Sequence, residues 1–436
     1  MKPYSSENDD GIDDQASPQS GIGRGSADAV AKRIAILLPS LEGGGAERSM
    51  LNLANAFVAR GRKVDLVLCR VKGAYLEHIP PAVQLRALSP TGTIGARLLV
   101  LMLNLHRFIT VMRPVVLPSK TAPEIQYVVS LRRYLREQRP DAVLSALTYA
   151  NLTALWARRI SGVSVPIVVS ERISLSQHCF NASNRRKWRW RFLPPLVGKS
   201  YPQADAIVAV SNHVADDLAA VTGVQRDSVT TIYNPVVDDK LYEQANAPLE
   251  HPWFAPGSVP VILGVGRLTD QKDFPTLLRA FARVRARRKV RLVILGEGKL
   301  RSALEDMIAE LGLQPDVQLA GFVQNPFNFM AKAAVLGLSS LYEGLPGVLI
   351  QALACGCPVV STNCPGGSAE ILDDGKIGPL VTPGDDAAFA EALESVLDDP
   401  PDKSGLRERA ELFSTDRASE QYLGLLDDLA ASKSKC

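Results

Sequence analysis

Two cations on one loop are the residues that point most clearly to chemistry. The stretch "GVGRLTDQKD", Gly264–Asp273, follows an apolar run that predicts a buried strand, and it carries Arg267 and Lys272. Fixed cations at the end of a strand can neutralise the charge that develops on a diphosphate leaving group. Gly266 allows the backbone to approach such a ligand closely. This loop therefore predicts a diphosphate site.

A strand–turn–helix with the sequence "SSLYEGLPGVLIQALACG", residues 339–356, is the second candidate. Glu343 ends the strand, where its carboxylate can accept hydrogen bonds from sugar hydroxyls or only complement the helix dipole. Eight residues later, Gln351 lies within the helix. The turn offers an anion the backbone N–H groups that a helix start leaves free, at Gly344, Leu345 and Gly347.

Three consecutive glycines form the third candidate. Gly43, Gly44 and Gly45 separate a strand from a helix in "LPSLEGGGAE", so the backbone there can approach an anionic ligand. A dinucleotide-binding dehydrogenase also needs an acidic residue at the end of its second strand. The corresponding stretch, "VDLVLCRVK", ends in Arg70 and Lys72. The sequence therefore argues against a dehydrogenase.

The elements that must position these loops alternate along the chain. Short apolar strands such as "RIAILLP" and "VPVILGVGRL" are separated by helical stretches, which predicts parallel sheets covered by helices on both faces. The series restarts after "NPVVDD", Asn234–Asp239. We therefore predict an α/β protein with two doubly wound, Rossmann-like domains that face a central cleft.

The expected domain boundaries follow from this restart and from composition. Residues 1–31 are rich in Ser, Gly and Asp and lack the apolar core of a signal peptide, so we expect a disordered tail. The N-terminal domain is expected over 32–235 and the C-terminal domain over 236–415. A final helix over 416–436 can pack back on the N-terminal domain.

A formal net charge of +3 conceals an uneven distribution. Residues 31–234 carry 27 lysines and arginines against 12 acidic residues, whereas residues 235–436 carry 20 against 28. A basic half suits an anionic surface, such as lipid headgroups, a phosphorylated acceptor or a nucleic acid. No RNA-binding module accompanies the basic half, so we expect no nucleic-acid partner.

Two segments favour a membrane surface as the partner of the basic half. Ala96–Pro114, drawn as one helix, places Leu98, Met102 and Leu105 on one face. Its uncharged run is shorter than the roughly 20 residues that span a bilayer, so it fits an interfacial helix or a buried domain helix. "NRRKWRWRFLPP", Asn184–Pro195, interleaves cations with aromatic rings, as headgroup layers favour, although a solvated helix with inward tryptophans also fits.

Six cysteines show no disulfide-framework spacing, which favours buried thiols and a reducing compartment. No Asp-x-Asp pair occurs in the chain, so no metal ligand set is expected. We therefore expect a cytoplasmic protein that is peripheral at the inner face of the membrane, bound through its basic N-terminal domain.

These motifs together resemble glycosyltransferase family 4, whose fold is GT-B. The resemblance covers roughly Arg33–Leu397 and rests on "GGGAER", "VGRLTDQKD", "LGEG", "SSLYEGLPGVLIQALACGCPVVSTNCPGG" and "GPLVTPGD". It implies transfer of a sugar, with retention at the anomeric carbon, from a nucleotide sugar that we expect to be a UDP- or GDP-sugar. It implies no metal or other cofactor. Members with similar N-terminal motifs often build cell-surface polysaccharides or lipid-linked glycans, which gives the expected acceptor.

The resemblance also implies a role for each candidate residue. The C-terminal domain binds the donor: Arg267 and Lys272 hold its diphosphate, Glu343 holds its sugar, and the Gly344–Gly347 backbone supports both. The N-terminal domain binds the acceptor, and Gly43–Gly45 face the cleft from it. Glu171 and Arg172 of "SERIS" are also expected at the cleft, close to where many members have a histidine.

One departure from the family keeps two alternatives open. Gln351 stands where the family has a second glutamate that binds the nucleotide ribose. A non-catalytic nucleotide-sugar-binding protein would keep the donor site and tolerate this change. A sugar-nucleotide epimerase can share the fold, but it would need acid/base residues around the sugar ring. His178 and His213 are interpreted as structural.

Overall fold

The computed structural model describes residues 33–42, 44–105, 108–118, 122–181 and 184–434. The tail expected over 1–31 and Gly43 lie outside these residues. The described chain forms two parallel sheets, one of seven strands and one of six, each covered by helices. The predicted α/β architecture, with two doubly wound parallel sheets, is confirmed.

The first sheet has the strand order β3-β2-β1-β4-β5-β6-β7. After Arg33 every residue of its first strand is buried, as expected for a strand that has helices on both faces. Its strands are β1 Arg33–Leu38, β2 Lys63–Leu68, β3 Gln84–Ala87, β4 Ala142–Ala146, β5 Ile167–Glu171, β6 Ala206–Ala209 and β7 Val229–Thr231.

Nine described helices belong to this domain. One core cluster joins the sheet to the first helix, and a second cluster, on the other face, joins it to the fourth, fifth, eighth and ninth helices. The helices are α1 Gly45–Ala59, α2 Thr93–Leu103, α3 Phe108–Val111, α4 Val128–Gln138, α5 Thr148–Ser161, α6 Leu175–Phe180, α7 Trp188–Arg191, α8 Leu193–Ser200 and α9 Asn212–Thr222.

The second sheet has the order β10-β9-β8-β11-β12-β13, so β8 and β11 are neighbours in the middle of it. Its strands are β8 Val261–Val265, β9 Arg291–Leu295, β10 Val317–Gly321, β11 Val335–Leu338, β12 Val359–Thr362 and β13 Leu380–Val381. Its helices are α10 Asp239–Ala245, α11 Phe274–Arg287, α12 Arg301–Glu310, α13 Phe327–Lys332, α14 Gly347–Ala354, α15 Ser368–Ile371, α16 Asp386–Asp398 and α17 Lys403–Glu411.

The chain crosses between the domains twice, and the crossings touch. The carbonyl of Phe413 accepts from the N–H groups of Val236 and Val237 at 3.0 and 3.2 Å, and Thr415 N donates to Val237 O at 2.8 Å. The last helix, α18 Thr415–Ser434, then returns to the first domain. Its Tyr422 is fully buried in the core cluster that contains α1.

The helix drawn over Ala96–Pro114 is divided in the structure. α2 ends at Leu103, because the buried Asn104 bonds its side chain back to Val100 O at 2.8 Å and so competes with the helix backbone. The second half is α3 followed by a π-helical turn over Met112–Val116 that contains Pro114, which lacks an N–H group. No helix in the described ranges is long and apolar enough to cross a membrane.

Glu171 ends β5 inside the first domain. It is 1% exposed, and its carboxylate accepts from Thr148 Oγ1 at 3.1 Å, from Asn151 Nδ2 at 3.4 Å and from the hydroxyl of Tyr201. Burial raises the pKa of Glu171 to about 7, and the three hydrogen bonds offset only part of that rise. The fold therefore favours the protonated carboxyl group.

We expect Glu171 to make stability fall as the pH rises. Because its pKa is about 7 in the fold against 4.5 in the unfolded chain, its contribution is complete below pH ~4.5 and is lost as the pH rises through about 7. Glu171→Gln stays neutral and should remove this loss. The free energy of unfolding, measured with urea between about pH 5 and pH 8, tests it.

The exposed Glu137 of α4 supplies the matched control. Glu137→Gln should leave the pH dependence of the parent unchanged. If Glu171→Gln also keeps that dependence, the buried carboxyl group ionises in the fold as it does in the unfolded chain.

Candidate active site

Two of the predicted loops meet because their strands, β8 and β11, are paired in the second sheet. Leu341 N donates to Gln271 O at 2.8 Å, and Gln271 Nε2 donates to Tyr342 O at 2.9 Å. Ser339 Oγ donates to Lys272 O at 2.9 Å. The cation loop and the Glu343 turn are thus fastened together at the carboxyl edge of the sheet, where ligands bind in open α/β folds.

Lys272 and Glu343 form an ion pair across these loops. Lys272 Nζ lies 2.6 Å from Glu343 Oε1, and the two side chains are only 16% and 10% exposed. Ser340 Oγ donates to the same Oε1 at 2.7 Å. Among the described residues Oε2 of Glu343 has no donor, so it can accept from a ligand hydroxyl. The ammonium has three donors, of which two remain for phosphate oxygens.

Gly266 and Arg267 complete the cation loop. A Cβ atom on Gly266 would lie 3.1 Å from Lys272 Cε, so the absence of a side chain there gives the lysine stem its place. The side chain of Arg267 is exposed and forms no salt bridge with any residue in the described ranges. The structure therefore places one fixed, paired cation and one free cation on the same loop.

The Glu343 turn touches the other domain. A Cβ atom on Gly344 would overlap the carbonyl oxygen of Arg172, so only glycine permits this approach. The side chain of Leu345 is buried, which leaves only its backbone for a ligand. α14 begins at Gly347, and the first N–H groups of a helix have no acceptor within it.

Gln351 lies in the second turn of α14 and is half-buried. Its side-chain amide forms no hydrogen bond with a residue that the structure describes. The amide is therefore available to a ligand that approaches the start of this helix.

The predicted acceptor-side residues are placed differently from one another. α1 begins at Gly45 with Gly44 as its N-cap, and a Cβ atom on Gly44 would overlap Oε2 of Glu47, so that carboxylate lies over the glycine. Glu171 does not have the expected place at the cleft, because Thr148, Asn151 and Tyr201 of its own domain enclose its carboxylate. The backbone of Arg172 lies beside the Glu343 turn, and Arg172 is 4% exposed.

Neither His178 nor His213 contacts the Lys272–Glu343 ion pair in the described residues. Burial, together with the charge of Arg189, lowers the pKa of His178 to about 4. Its ring packs edge-on against Trp190 with the ring centres 4.4 Å apart. His178 is therefore a neutral packing residue.

The two segments expected at a membrane lie next to each other. The guanidinium of Arg113 lies 4.8 Å from the ring centre of Phe192, and Lys199 Nζ, in the helix that follows the second segment, donates to Thr110 Oγ1 at 3.1 Å. Trp188 is 50% exposed, whereas Trp190 packs on Tyr149. We call the exposed apolar residues in and just before the first segment the apolar stripe: Ile94, Leu98, Met102, Leu105 and Ile109, which are 54–76% exposed.

Sequence reasoning missed the glutamate that joins the domains. The carboxylate of Glu370 accepts from the backbone N–H of Asn212 at 2.9 and 3.0 Å, from Asn212 Nδ2 at 2.7 Å and from Tyr233 OH at 2.7 Å. An acidic group at the first residue of α9 also complements the helix dipole. The stretch "GGSAE" gave no signal of this, because the partners lie 158 and 137 residues away.

Solved structures superpose on both domains of this chain. The Anabaena protein HepE, solved in complex with UDP and glucose, superposes with a TM-score of 0.69 at 22% identity, over 91% of this chain and 100% of that one. Sucrose-phosphate synthase from Thermosynechococcus elongatus superposes with a TM-score of 0.71 at 18% identity, over 92% and 100%. At these identities the likeness establishes the GT-B fold.

Two proteins of related sequence are also similar to this chain. The chain is 31% identical over 272 residues, 62% of this chain and 70% of the relative, to the Campylobacter jejuni "N-acetylgalactosamine-N,N'-diacetylbacillosaminyl-diphospho-undecaprenol 4-alpha-N-acetylgalactosaminyltransferase". It is 27% identical, over 91% of this chain and 99% of the relative, to "GalNAc-alpha-(1->4)-GalNAc-alpha-(1->3)-diNAcBac-PP-undecaprenol alpha-1,4-N-acetyl-D-galactosaminyltransferase" from the same organism.

Two family models together match most of the chain. Residues 43–240 match "Glycosyltransferase Family 4", and residues 250–413 match "Glycosyl transferases group 1". The chain therefore belongs to the family 4, group 1 glycosyltransferases.

Proposed function

We propose that this glycosyltransferase moves a sugar, with retention at the anomeric carbon, from a UDP- or GDP-sugar to a lipid-linked or glycan acceptor at the membrane. The observation that carries the proposal is the Lys272–Glu343 pair, held between two loops at the carboxyl edge of the second sheet. One partner offers a cation to the diphosphate, and the other offers a carboxylate oxygen to the sugar.

In the proposed reaction the bond between the anomeric carbon and the diphosphate breaks, and negative charge grows on the leaving oxygen. The oxygen of an acceptor hydroxyl forms the new bond to the anomeric carbon on the same face, and its proton passes to the departing nucleoside diphosphate. The ammonium of Lys272 and the guanidinium of Arg267 stabilise the negative charge, which is larger in the transition state than in the bound donor. Oε2 of Glu343 accepts from a sugar hydroxyl and orients the ring. These cations take the place that a divalent metal has in other transferases.

The names of related proteins support the choice of donor and acceptor. HepE was crystallised with UDP-glucose, and both Campylobacter relatives are named for undecaprenol-linked saccharides that contain a diphosphate. The basic first domain suits an acceptor of that charge.

The proposed membrane contact rests on the apolar stripe and the cations beside it. Ile94, Leu98 and Met102 follow one another at four-residue spacing in α2, so they lie on one face of it, where they are 76%, 54% and 72% exposed. Such a surface, flanked by exposed cations and Trp188, suits insertion among anionic headgroups at the cytoplasmic face.

We expect turnover with a UDP- or GDP-sugar and an undecaprenol-linked acceptor to persist in EDTA, because protein cations rather than a metal stabilise the diphosphate. Arg267→Ala or Lys272→Ala should lower kcat at least ~100-fold, the scale for removing one charge-stabilising donor. A radiolabelled transfer assay measures the rate, and proton NMR of the product gives the anomeric configuration.

Lys332→Ala removes an exposed lysine of the same domain and is the control for charge alone. Activity that disappears in EDTA and returns with Mg²⁺ or Mn²⁺ would contradict the metal-independent mechanism. Product with inverted configuration would contradict retention, and full activity in both cation variants would place the diphosphate elsewhere.

Gln351 should contribute one ordinary hydrogen bond to the nucleotide ribose. Its carbonyl accepts fewer bonds than a carboxylate, whose charged bonds are worth ~1.5–3 kcal/mol against ~0.5–1.5 for neutral ones. We therefore expect Gln351→Ala to weaken binding of the matching nucleoside diphosphate about tenfold. Gln351→Glu should bind at least as tightly as the parent and remain active. Isothermal calorimetry compares the three proteins.

Gln314→Ala, at an exposed position of the same domain, should bind like the parent. Unchanged affinity in Gln351→Ala would mean that the amide does not touch the ribose. If the parent is inactive and only Gln351→Glu turns over, the chain is a nucleotide-sugar-binding protein without catalysis.

Replacing the exposed cations beside the apolar stripe should release the protein from anionic liposomes. Attraction to headgroups is screened within ~8 Å at physiological ionic strength, so only cations close to the membrane contribute to binding. Cosedimentation with phosphatidylglycerol-containing vesicles measures this. The replaced residues, each changed to Gln, are Arg185, Arg186, Lys187 and Arg191.

A control with the same loss of charge changes four cations of the second domain to Gln, at Arg283, Arg287, Arg288 and Lys289. This control should still sediment with the vesicles. Equal release of both variants would show that net charge, rather than this surface, binds the membrane.

A further inference from the structure

Arg172 is a buried cation without an anionic partner. Its side chain is 4% exposed, and only Nη1 has polar neighbours, Ser170 Oγ and Tyr422 OH, each at 3.4 Å. Nε and Nη2 are buried and have no hydrogen-bond acceptor among the described residues. No carboxylate in the described ranges forms a salt bridge with this guanidinium.

Two other enclosed arginines of the same domain, Arg158 and Arg62, are paired with carboxylates. Arg158, 17% exposed, pairs with Asp205 and also donates to backbone carbonyls, and Arg62, 14% exposed, pairs with Asp427 at 2.7 Å. A guanidinium has five N–H donors, and the three on Nε and Nη2 are left without acceptors inside the protein, which is costly for a buried cation. A guanidinium buried in this way needs an anionic partner, and the described residues do not provide one.

The position of Arg172 indicates where that anion lies. It follows β5 at the carboxyl edge of the first sheet, and its backbone touches Gly344 of the Glu343 turn. Burial lowers the pKa of Arg172, and the charge of Glu47 in the first turn of α1 opposes that shift; the carboxylate of Glu47 also lies over Gly44. Arg172 therefore lies near the uncapped N-terminus of α1, a 15-residue helix whose first N–H groups also favour an anion.

We propose that Arg172, with the N-terminus of α1, binds a diphosphate group of a substrate in the cleft, with Glu47 covering that place when no substrate is bound. This inference rests on the proposed function, because it takes the diphosphate from the nucleotide sugar or from the lipid-linked acceptor. The guanidinium can donate to two phosphate oxygens at once, which a lysine at this position cannot reproduce. Entry of the diphosphate requires Glu47 to rotate away from Gly44 or the Gly344 loop to move back from Arg172.

Calorimetric titration of the full chain tests the proposal with three probes: inorganic pyrophosphate, UDP and farnesyl diphosphate. We expect Arg172→Met to weaken pyrophosphate binding tenfold or more, and Arg172→Lys to recover part of that loss. A selective loss for UDP would assign the group to the donor, and a selective loss for farnesyl diphosphate would assign it to the acceptor.

Thermal unfolding separates binding from structure. Because Arg172 lacks a partner when no ligand is bound, Arg172→Met should leave the Tm of the free protein unchanged or raise it, and it should reduce the rise in Tm that pyrophosphate produces. Arg158→Met, the control with an ion pair, should lower the Tm and keep the affinity for pyrophosphate.

Two results would overturn the inference. If Arg172→Met binds all three probes like the parent, Arg172 is not an anion site, although the proposed function stands. If the parent binds none of the probes, the inference fails together with the proposed diphosphate donor.

Discussion

The two chain crossings at Val236–Val237 and Phe413–Thr415 determine how the domains meet. Because the carbonyl of Phe413 accepts from both valine N–H groups and Thr415 donates back to Val237, the crossings form one short ladder with little independent freedom. The loops at the carboxyl edges can then approach each other, and Gly344 reaches the backbone of Arg172. Glu370 fixes the same arrangement from the side by accepting from Asn212 and Tyr233. The relative position of the two domains therefore depends mainly on backbone contacts, to which side-chain hydrogen bonds such as those of Glu370 are added.

The parts of the fold that could be predicted were those encoded locally. Buried parallel strands read as continuous apolar runs, so β1 and β8 were apparent, and a polar loop after such a strand must lie at the carboxyl edge. Lys272 and Glu343 could therefore be assigned to one edge before their contact was known. That Lys272 bonds Glu343 directly could not be predicted, because it depends on β8 and β11 being neighbours in the sheet.

Predictions failed where contacts distant in the sequence decide the outcome. Glu171 directly precedes Arg172, yet one carboxylate is enclosed by α5 and Tyr201 while the neighbouring guanidinium has only hydroxyl neighbours, since successive side chains of a strand point to opposite faces. The break in the helix drawn over Ala96–Pro114 could not be predicted, because it depends on Asn104 being buried and bonded to Val100 O. In the same way, only the folded chain shows that Lys199 lies beside Thr110.

The charge balance of the cleft gives the amide at Gln351 a physical reason. In the proposed donor site Lys272 donates to the diphosphate while paired with Glu343, so the pair itself adds no net charge, and the net positive potential comes from Arg267 and the N-terminus of α14. A second carboxylate in the second turn of α14 would strengthen the hold on a ribose, but it would also place another anion near the diphosphate. At an effective dielectric constant of about 20, two like charges ~8 Å apart repel by roughly 2 kcal/mol, comparable to the advantage of a charged hydrogen bond over a neutral one. Gln351 avoids that repulsion and keeps an acceptor, so the substitution is compatible with a working donor site.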